Sequence, residues 1–490
     1  MLNLILSLPI LGAIAILLGA PARKTALGVS AAGLLATLIA LMGYDRAQGG
    51  FQMVYSSTLV QAWDLKYLLA ADGLSLVMLL LTSLVTLAAV WLTPTIERRE
   101  NLFYACVLLI AAGATGAFAS QDLFFFYAFH ELALIPTFLL IGIWGSGERR
   151  AAAWKITIYL ALGSFILLVG LVDLYNALPA EVRTFDMMKL QKAASATLIP
   201  AAAQSRPYLF LLVGFGILIS LFPFHSWAPD AYASAPTPAA MLHAGVLKKF
   251  GLYGLIRLAI PLLPAGAQQW AWLLLILLVG NIIYVGLVTI AQRRIDLMLG
   301  YSSVMHMGYI FLGIASANAI GLSGAALLMF AHGLSIALLF AMAGLLRPHH
   351  AGLAFDRFGG IGKVAPFLGA AFGCAAFASI GLPGFANFAS ETLVFFGAFK
   401  PAVPAELTGK FQLATTFALW GVVISAVYML RAYRSVFLGP VGKGAEALTD
   451  PAANLRWPLI LLLAFLLYAG FFPGNLLSYL QPSIEALLPK

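Results

Sequence analysis

Apolar runs of roughly 18 residues or more recur along the chain, parted by short intervals rich in arginine, glycine and proline. A helix needs about 20 apolar residues to cross a bilayer, so the pattern predicts an all-α polytopic membrane protein. About 14 spans are expected, near residues 2–19, 25–43, 67–92, 101–118, 121–145, 154–177, 207–224, 236–262, 269–291, 297–316, 320–345, 364–399, 413–436 and 456–473. No charged segment precedes the first run, which therefore reads as a retained helix and not as a signal peptide. Two runs are interrupted. Between Pro207 and Pro264 the stretch PFHSWAPDAYASAPTP holds too many prolines for a continuous helix. In 364–399 the stretch SIGLPGFANFAS places Gly381, Pro383 and Gly384 halfway along a membrane-long run. Irregular backbone at membrane depth persists only where it is buried in protein or lines a polar cavity, so both breaks point to transport.

Ionisable residues inside such runs are functional by default, because a charge at the bilayer centre costs about 2.5–3.5 kcal/mol on insertion scales. Glu131 falls about ten residues into the run from Gln121 to Gly145, near mid-bilayer at about 1.5 Å per residue. Lys248 and Lys249 lie well inside the run after the first break, and Glu391 follows the second. Adjacent helical residues point about 100° apart, so one lysine faces the line of titratable groups and the other a different polar surface. His225 lies in the first break, His306 on the tenth span and His332 on the eleventh, where a polar relay or interhelical hydrogen bonding outweighs haem ligation. His130 is expected to pack or hydrogen-bond, Lys155 to snorkel to the headgroups or to reach Glu131, and Asp173 to sit at the interface. Asp72 reads as an interfacial helix cap.

Composition agrees with the pattern: 62% of the 490 residues are hydrophobic and 10% charged, against about 25% charged in soluble domains. The net charge of +9 reports loop lysines and arginines and not a nucleic-acid surface. Loops after odd-numbered spans carry roughly 16 of them, Lys443 included, and the other side roughly 10. That bias puts the odd loops in the cytoplasm and both termini on the periplasmic side of a cell membrane. Cys106 and Cys374, both within apolar spans, read as buried small hydrophobes. No phosphate loop, metal cluster or flavin fingerprint is present, so redox chemistry is assigned to partner subunits.

The two breaks suggest a repeat. Glu131 precedes Pro223 by about 90 residues and His306 precedes Pro383 by about 80. The division expected is an N-terminal three-helix segment (1–95), two five-helix units (96–264 and 265–440) inverted relative to each other, and a C-terminal helix and tail (441–490).

The runs FHELALIPTFLLIGIWG, FPFHSWAPDAYASAPTPAAMLHAGVLKKFGLYGLIR, YSSVMHMGYIFLGIAS, AHGLSIALLF and LPGFANFASE together resemble the antiporter-like membrane subunits of respiratory complex I, the proton-pumping NADH:quinone oxidoreductase. The likeness covers about residues 65–440. Glutamate and not lysine at position 391 favours the NuoM type among them. The resemblance implies proton movement along a polar axis at mid-membrane. Its working groups would be a glutamate on the fifth helix, matched by Glu131, a lysine on the eighth, matched by Lys249, and a terminal group on the twelfth, matched by Glu391. It also implies NADH, FMN, Fe–S clusters and quinone in partner subunits, no cofactor in this chain, and sister antiporter-like subunits beside it.

Two departures stand out. The family's seventh-helix lysine falls at Leu218, and a Lys-Arg pair falls at Asp296 and Leu297, where Arg293 and Arg294 stand nearby. Either Lys248 or Lys155 compensates for Leu218, or this half-channel is impaired and the chain is a structural subunit. The same fold also serves multi-subunit cation/proton antiporters and membrane-bound hydrogenases.

Overall fold

The computed structural model describes residues 1–347, 353–442 and 448–488; Lys443, counted in the charge bias, lies outside them. Helices α1 (Leu2–Leu17) and α2 (Ala22–Met42) lead into an antiparallel hairpin, β1 (Gln52–Val60) and β2 (Leu65–Ala71). The expected start of the third span at residue 67 is thus strand, and α3 (Gly73–Trp91) begins only where Asp72 accepts a hydrogen bond from the Ser75 amide. The alternation in LKYLLAA is too short to part from the apolar run that follows it, so hydrophobicity alone overruns the boundary.

Helices α4 (Glu100–Ala119), α5 (Leu123–Trp144) and α6 (Arg149–Asn176) follow. Asp122 caps α5 through the Phe124 and Phe125 amides. The polar segment 178–206 contributes the short α7 (Met187–Ser195) and the start of α8 (Ala201–Ile219), and Asp173 pairs with Arg206 there. The hairpin turn is tied to this segment at Asp64, which accepts from Thr184 Oγ1 at 2.8 Å and Lys189 Nζ at 2.7 Å and lies 2.9 Å from Lys66 Nζ. Partial burial raises the Asp64 carboxyl, but the bonds from Lys189, Lys66 and Thr184 outweigh it and hold it at about 2.

Past the first break lie α9 (Trp227–Ser234) and α10 (237–262), one continuous run in which π turns at His243–Leu247 and Leu255–Ala259 flank the lysine pair. Then come α11 (Pro264–Ala291), α12 (Ile295–Ala315), α13 (Ala319–Leu346), α14 (Pro366–Ile380), α15 (Ala386–Phe399), α16 (Ala405–Phe437), α17 (Ala453–Phe471) and α18 (Pro473–Leu487).

Eleven of the described helices are long and apolar enough to cross a membrane. Two further apolar helices, α1 and α14, are shorter, and α10 is divided by its π turns. The arrangement is a membrane protein's: α13 is buried from Gly321 through Ala343, with α3, α4 and α12 nearly buried too. Large apolar side chains such as Ile135, Trp154, Phe165 and Trp420 face outward from α5, α6 and α16, and the charged side chains of α10 turn inward. Cys106 is buried as expected, whereas Cys374 is only partly so, since the outer face of α14 meets the exterior.

Candidate functional site

The site is built on the inward face of α10. Lys249 is fully buried, and its Nζ donates to Ala244 O at 2.7 Å and lies 3.0 Å from His332 Nδ1 on α13. The His332 ring lies 5.5 Å, centroid to centroid, from that of His306 on α12. His306 Nδ1 lies 2.8 Å from Ser302 O, and its Nε2 lies 2.9 Å from Ser379 O, in the last turn of α14 where the second break begins. Two glycines with positive φ turn the chain there, Gly381 (83°) and Gly384 (96°). At Gly381 a Cβ would lie 2.4 Å from Glu391 Oε2, so the carboxylate from α15 rests against the turn itself. Lys249, His332, His306 and Glu391 are therefore brought into one buried series crossing from α10 to the second break.

Along this series several buried polar atoms have no hydrogen-bond partner among the described residues: Glu391 Oε1, the Asn387 amide, the Tyr309 hydroxyl and His332 Nε2. Such groups are ordinarily satisfied, and a polar buried cluster of this kind suits water.

Lys248 takes the other direction. Its Nζ lies 3.4 Å from Ser303 Oγ, 5.3 Å from the Tyr232 ring centroid and 6.0 Å from that of Trp227, within cation–π range of both. The lysine pair thus divides, Lys249 toward the histidines and Lys248 toward the aromatic residues of α9. His243 completes that second cluster, 3.2 Å from the Tyr232 hydroxyl.

The first break holds its residues differently. Trp227 Nε1 donates to Ile217 O at 3.1 Å, and Asn281 of α11 accepts from Phe222 N at 2.5 Å while donating to Ser220 O and Val304 O. His225 stacks on Phe222, at 5.7 Å. Lys155 reaches Asp230 Oδ2 at 2.7 Å and not Glu131, because the side chain extends along α6 toward α9. Leu218 packs against Gly163 of α6, beside Ser164. Glu131 stands apart: its side chain is 36% exposed, His130 Nδ1 lies 3.6 Å from its carboxylate, and it opens on an apolar cleft of about 220 Å³ lined by Leu134, Phe138 and Ile156. Lys248 points away from it toward Tyr232 and Trp227. His130 itself stacks on Phe250 at 4.1 Å.

Sequence reasoning missed the partner of Asp72. The carboxylate caps α3 as expected, but it also forms a buried bidentate pair with Arg257 of α10. The signal was an arginine inside an apolar run, eight residues beyond Lys249. At Asp296 the expectation of nearby arginines is met by geometry: Arg294 Nε and Nη2 bond its two oxygens at 3.1 and 2.8 Å.

Residues 120–416, more than half of the chain, match the family model described as NADH:quinone oxidoreductase/Mrp antiporter, transmembrane. The chain is 39% identical over 425 residues to an NAD(P)H-quinone oxidoreductase chain 4 of Microcystis aeruginosa, covering 86% of this chain and 75% of that one. It is 35% identical over 472 residues to a chain 4 of Synechococcus sp., covering 95% and 86%. Among solved structures it superposes on a chain of respiratory complex I from Thermus thermophilus with bound NADH, with a TM-score of 0.89, 28% identity and full coverage of both chains. A chain of the Mrp complex from Dietzia sp. gives a TM-score of 0.84 at 21% identity over 99% of each, a likeness of fold alone.

Proposed function

The chain belongs to the NADH:quinone oxidoreductase/Mrp antiporter membrane family, and from that premise we propose that it translocates protons as a membrane subunit of a complex I-like oxidoreductase. The observation that carries this reading is the buried series Lys249, His332, His306 and Glu391, ending at an interrupted helix. In low dielectric a lysine sheds its proton more easily and an approaching carboxylate restores it, so moving charge near the series loads or ejects a proton. A proton leaving the Lys249 ammonium passes to His332 Nδ1 as the imidazole releases another from Nε2, and water carries it on toward Glu391 past His306, whose ring is held between two backbone carbonyls. Lys248, His225 and the Lys155–Asp230 pair serve the first break, on the side from which Lys249 is reloaded.

The finer architecture belongs to the same reading. Fourteen crossings arise when α1, α10 and the joined α14 and α15 are added to the eleven longer helices. Two inverted five-helix units, within 96–264 and 265–440, are supported by the third helix of each, α6 and α13, packing along both segments of the broken helix that follows it, α8 and α9 in one and α14 and α15 in the other. The excess of basic residues in odd loops puts the hairpin and both termini on the periplasmic side. NADH, FMN, Fe–S clusters and quinone are assigned to partner subunits, and sister antiporter-like subunits to the flanks of this one. The relatives' names favour the oxidoreductase over a cation/proton antiporter or hydrogenase assembly.

The test is Lys249→Ala in the assembled complex, reconstituted in vesicles. Coupled proton uptake assigned to this subunit disappears while the complex remains assembled; unchanged proton-to-electron stoichiometry would refute the reading.

A further inference from the structure

The helix that carries Lys248 and Lys249 holds a third buried cation. Arg257 lies about 12 Å beyond Lys249 along α10 at about 1.5 Å per residue, and steps of four residues place Lys249, Tyr253 and Arg257 toward one face. Arg257 Nη1 and Nη2 donate to the two Asp72 oxygens at 2.6 Å each, and its Nε donates to the Tyr253 hydroxyl at 3.2 Å. That hydroxyl lies 2.9 Å from Ser75 Oγ and donates to Phe118 O at 3.1 Å.

A dry ion pair is a poor source of stability, because withdrawing both charges from water offsets most of their attraction and an apolar pair often serves as well. Its place in the fold supplies another reason for it. On the outer side the guanidinium is covered by the ring of Phe51, centroid at 5.1 Å, and Phe51 is itself partly exposed in the loop leading to the hairpin. On the inner side lies the Tyr253 ring at 5.0 Å, packed edge-on against Phe118 at 5.3 Å and tilted against Phe126 at 6.2 Å. The Phe51 ring therefore caps the guanidinium on the hairpin side, and an aromatic layer lies between the pair and the lysine compartment.

We propose that Asp72, Arg257 and Tyr253 form a gate that closes the Lys249 compartment toward hairpin-side water, a role that rests on the translocation reading above. While the pair is made, the guanidinium charge repels an approaching hydronium ion, and both Asp72 oxygens are occupied. A proton taken up by the Asp72 carboxylate removes its charge and frees Arg257. Loss of that same proton to hairpin-side water restores the carboxylate and reseals the pair. No other bond is made or broken.

The experiment measures passive proton entry into vesicles holding the assembled complex, without substrate, under an imposed pH gradient. Arg257→Gln and Asp72→Asn are expected to raise the leak several-fold, and Arg257→Lys, which keeps the charge but loses the bidentate geometry, to raise it less. Adding Lys249→Ala to Arg257→Gln is expected to return the leak to the wild-type level, an epistasis that a merely structural role would not produce. Tyr253→Phe keeps the ring packing and removes only the hydroxyl, so it decides the matter should the charge variants fail to assemble: it is expected to leak. Wild-type tightness in Tyr253→Phe together with every assembled charge variant, or a leak that persists when Lys249→Ala is added, overturns the gate. If Lys249→Ala abolishes pumping while the gate variants stay tight, the gate alone falls; if Lys249→Ala pumps normally, the translocation reading falls with it.

Discussion

The two interrupted helices share a backbone device and differ in what they hold. At the second, Glu391 is buried against Gly381 and is reached from Lys249 through two histidines on two separate helices. At the first, the interval is knitted by Trp227 and Asn281, Lys155 is spent on Asp230, and Leu218 fills the position where a lysine is expected. Glu131 is left partly exposed on the flank of α5, without a lysine or arginine partner among the described residues. A broken helix provides room and bare carbonyls, but the chemistry depends on whether side chains of opposite character meet there. By that measure the second break brings a carboxylate within reach of basic groups, and the first holds its cation, Lys248, among aromatic side chains.

This asymmetry can be broken or sharpened by substitution. The largest effect is expected from Glu391→Gln, which removes the terminal titrating group: coupled proton movement by this subunit is lost, whereas Glu131→Gln lowers it only a few-fold, both read as proton-to-electron stoichiometry. Equal effects would erase the distinction. Leu218→Lys sharpens it, since a cation beside Ser164 gives Glu131 a partner; in that background Glu131→Gln becomes severe, because a buried lysine is then left unpaired.

A smaller effect is expected at the scaffold. Asn281→Ala leaves the Phe222 amide without its acceptor and removes the donor to the Ser220 and Val304 carbonyls, and lowers the stability of the assembled subunit by about 1–3 kcal/mol in detergent melting. Its proton stoichiometry stays normal at temperatures where the fold persists.

The smallest effect lies outside both breaks. Asp64 is held at about 2, below the ordinary 3.8, so its ties to Lys66, Lys189 and Thr184 contribute stability above about pH 3.8 that is lost as pH falls toward 2. Exchange of hairpin amides is expected to quicken over that window, modestly because Asp64 is partly and Lys189 largely open to solvent, which screens the pair. Asp64→Asn moves the loss out of the window.

Much of this was legible in the chain. The interruptions announce themselves through Pro223, Pro383 and the flanking glycines, and Lys249, His306, His332 and Glu391 stand out as polar residues in apolar runs. Their convergence was not legible, since α10, α12, α13 and α15 meet through tertiary packing that periodicity does not encode. The hairpin was hidden because a short strand joined to a hydrophobic helix reads as one span. Arg257 was passed over because no local pattern links it to Asp72, 185 residues away. Lys155 was misdirected because Asp230 lies on a helix that starts only after the break.

At Gly381 the space for a side chain is already taken by a carboxylate oxygen of Glu391. The hydrogen that stands there in place of a Cβ therefore lets the acid rest directly against the turn. A methyl there would displace the carboxylate before it altered any charge, so this position sets where the acid rests although it has no titratable chemistry of its own.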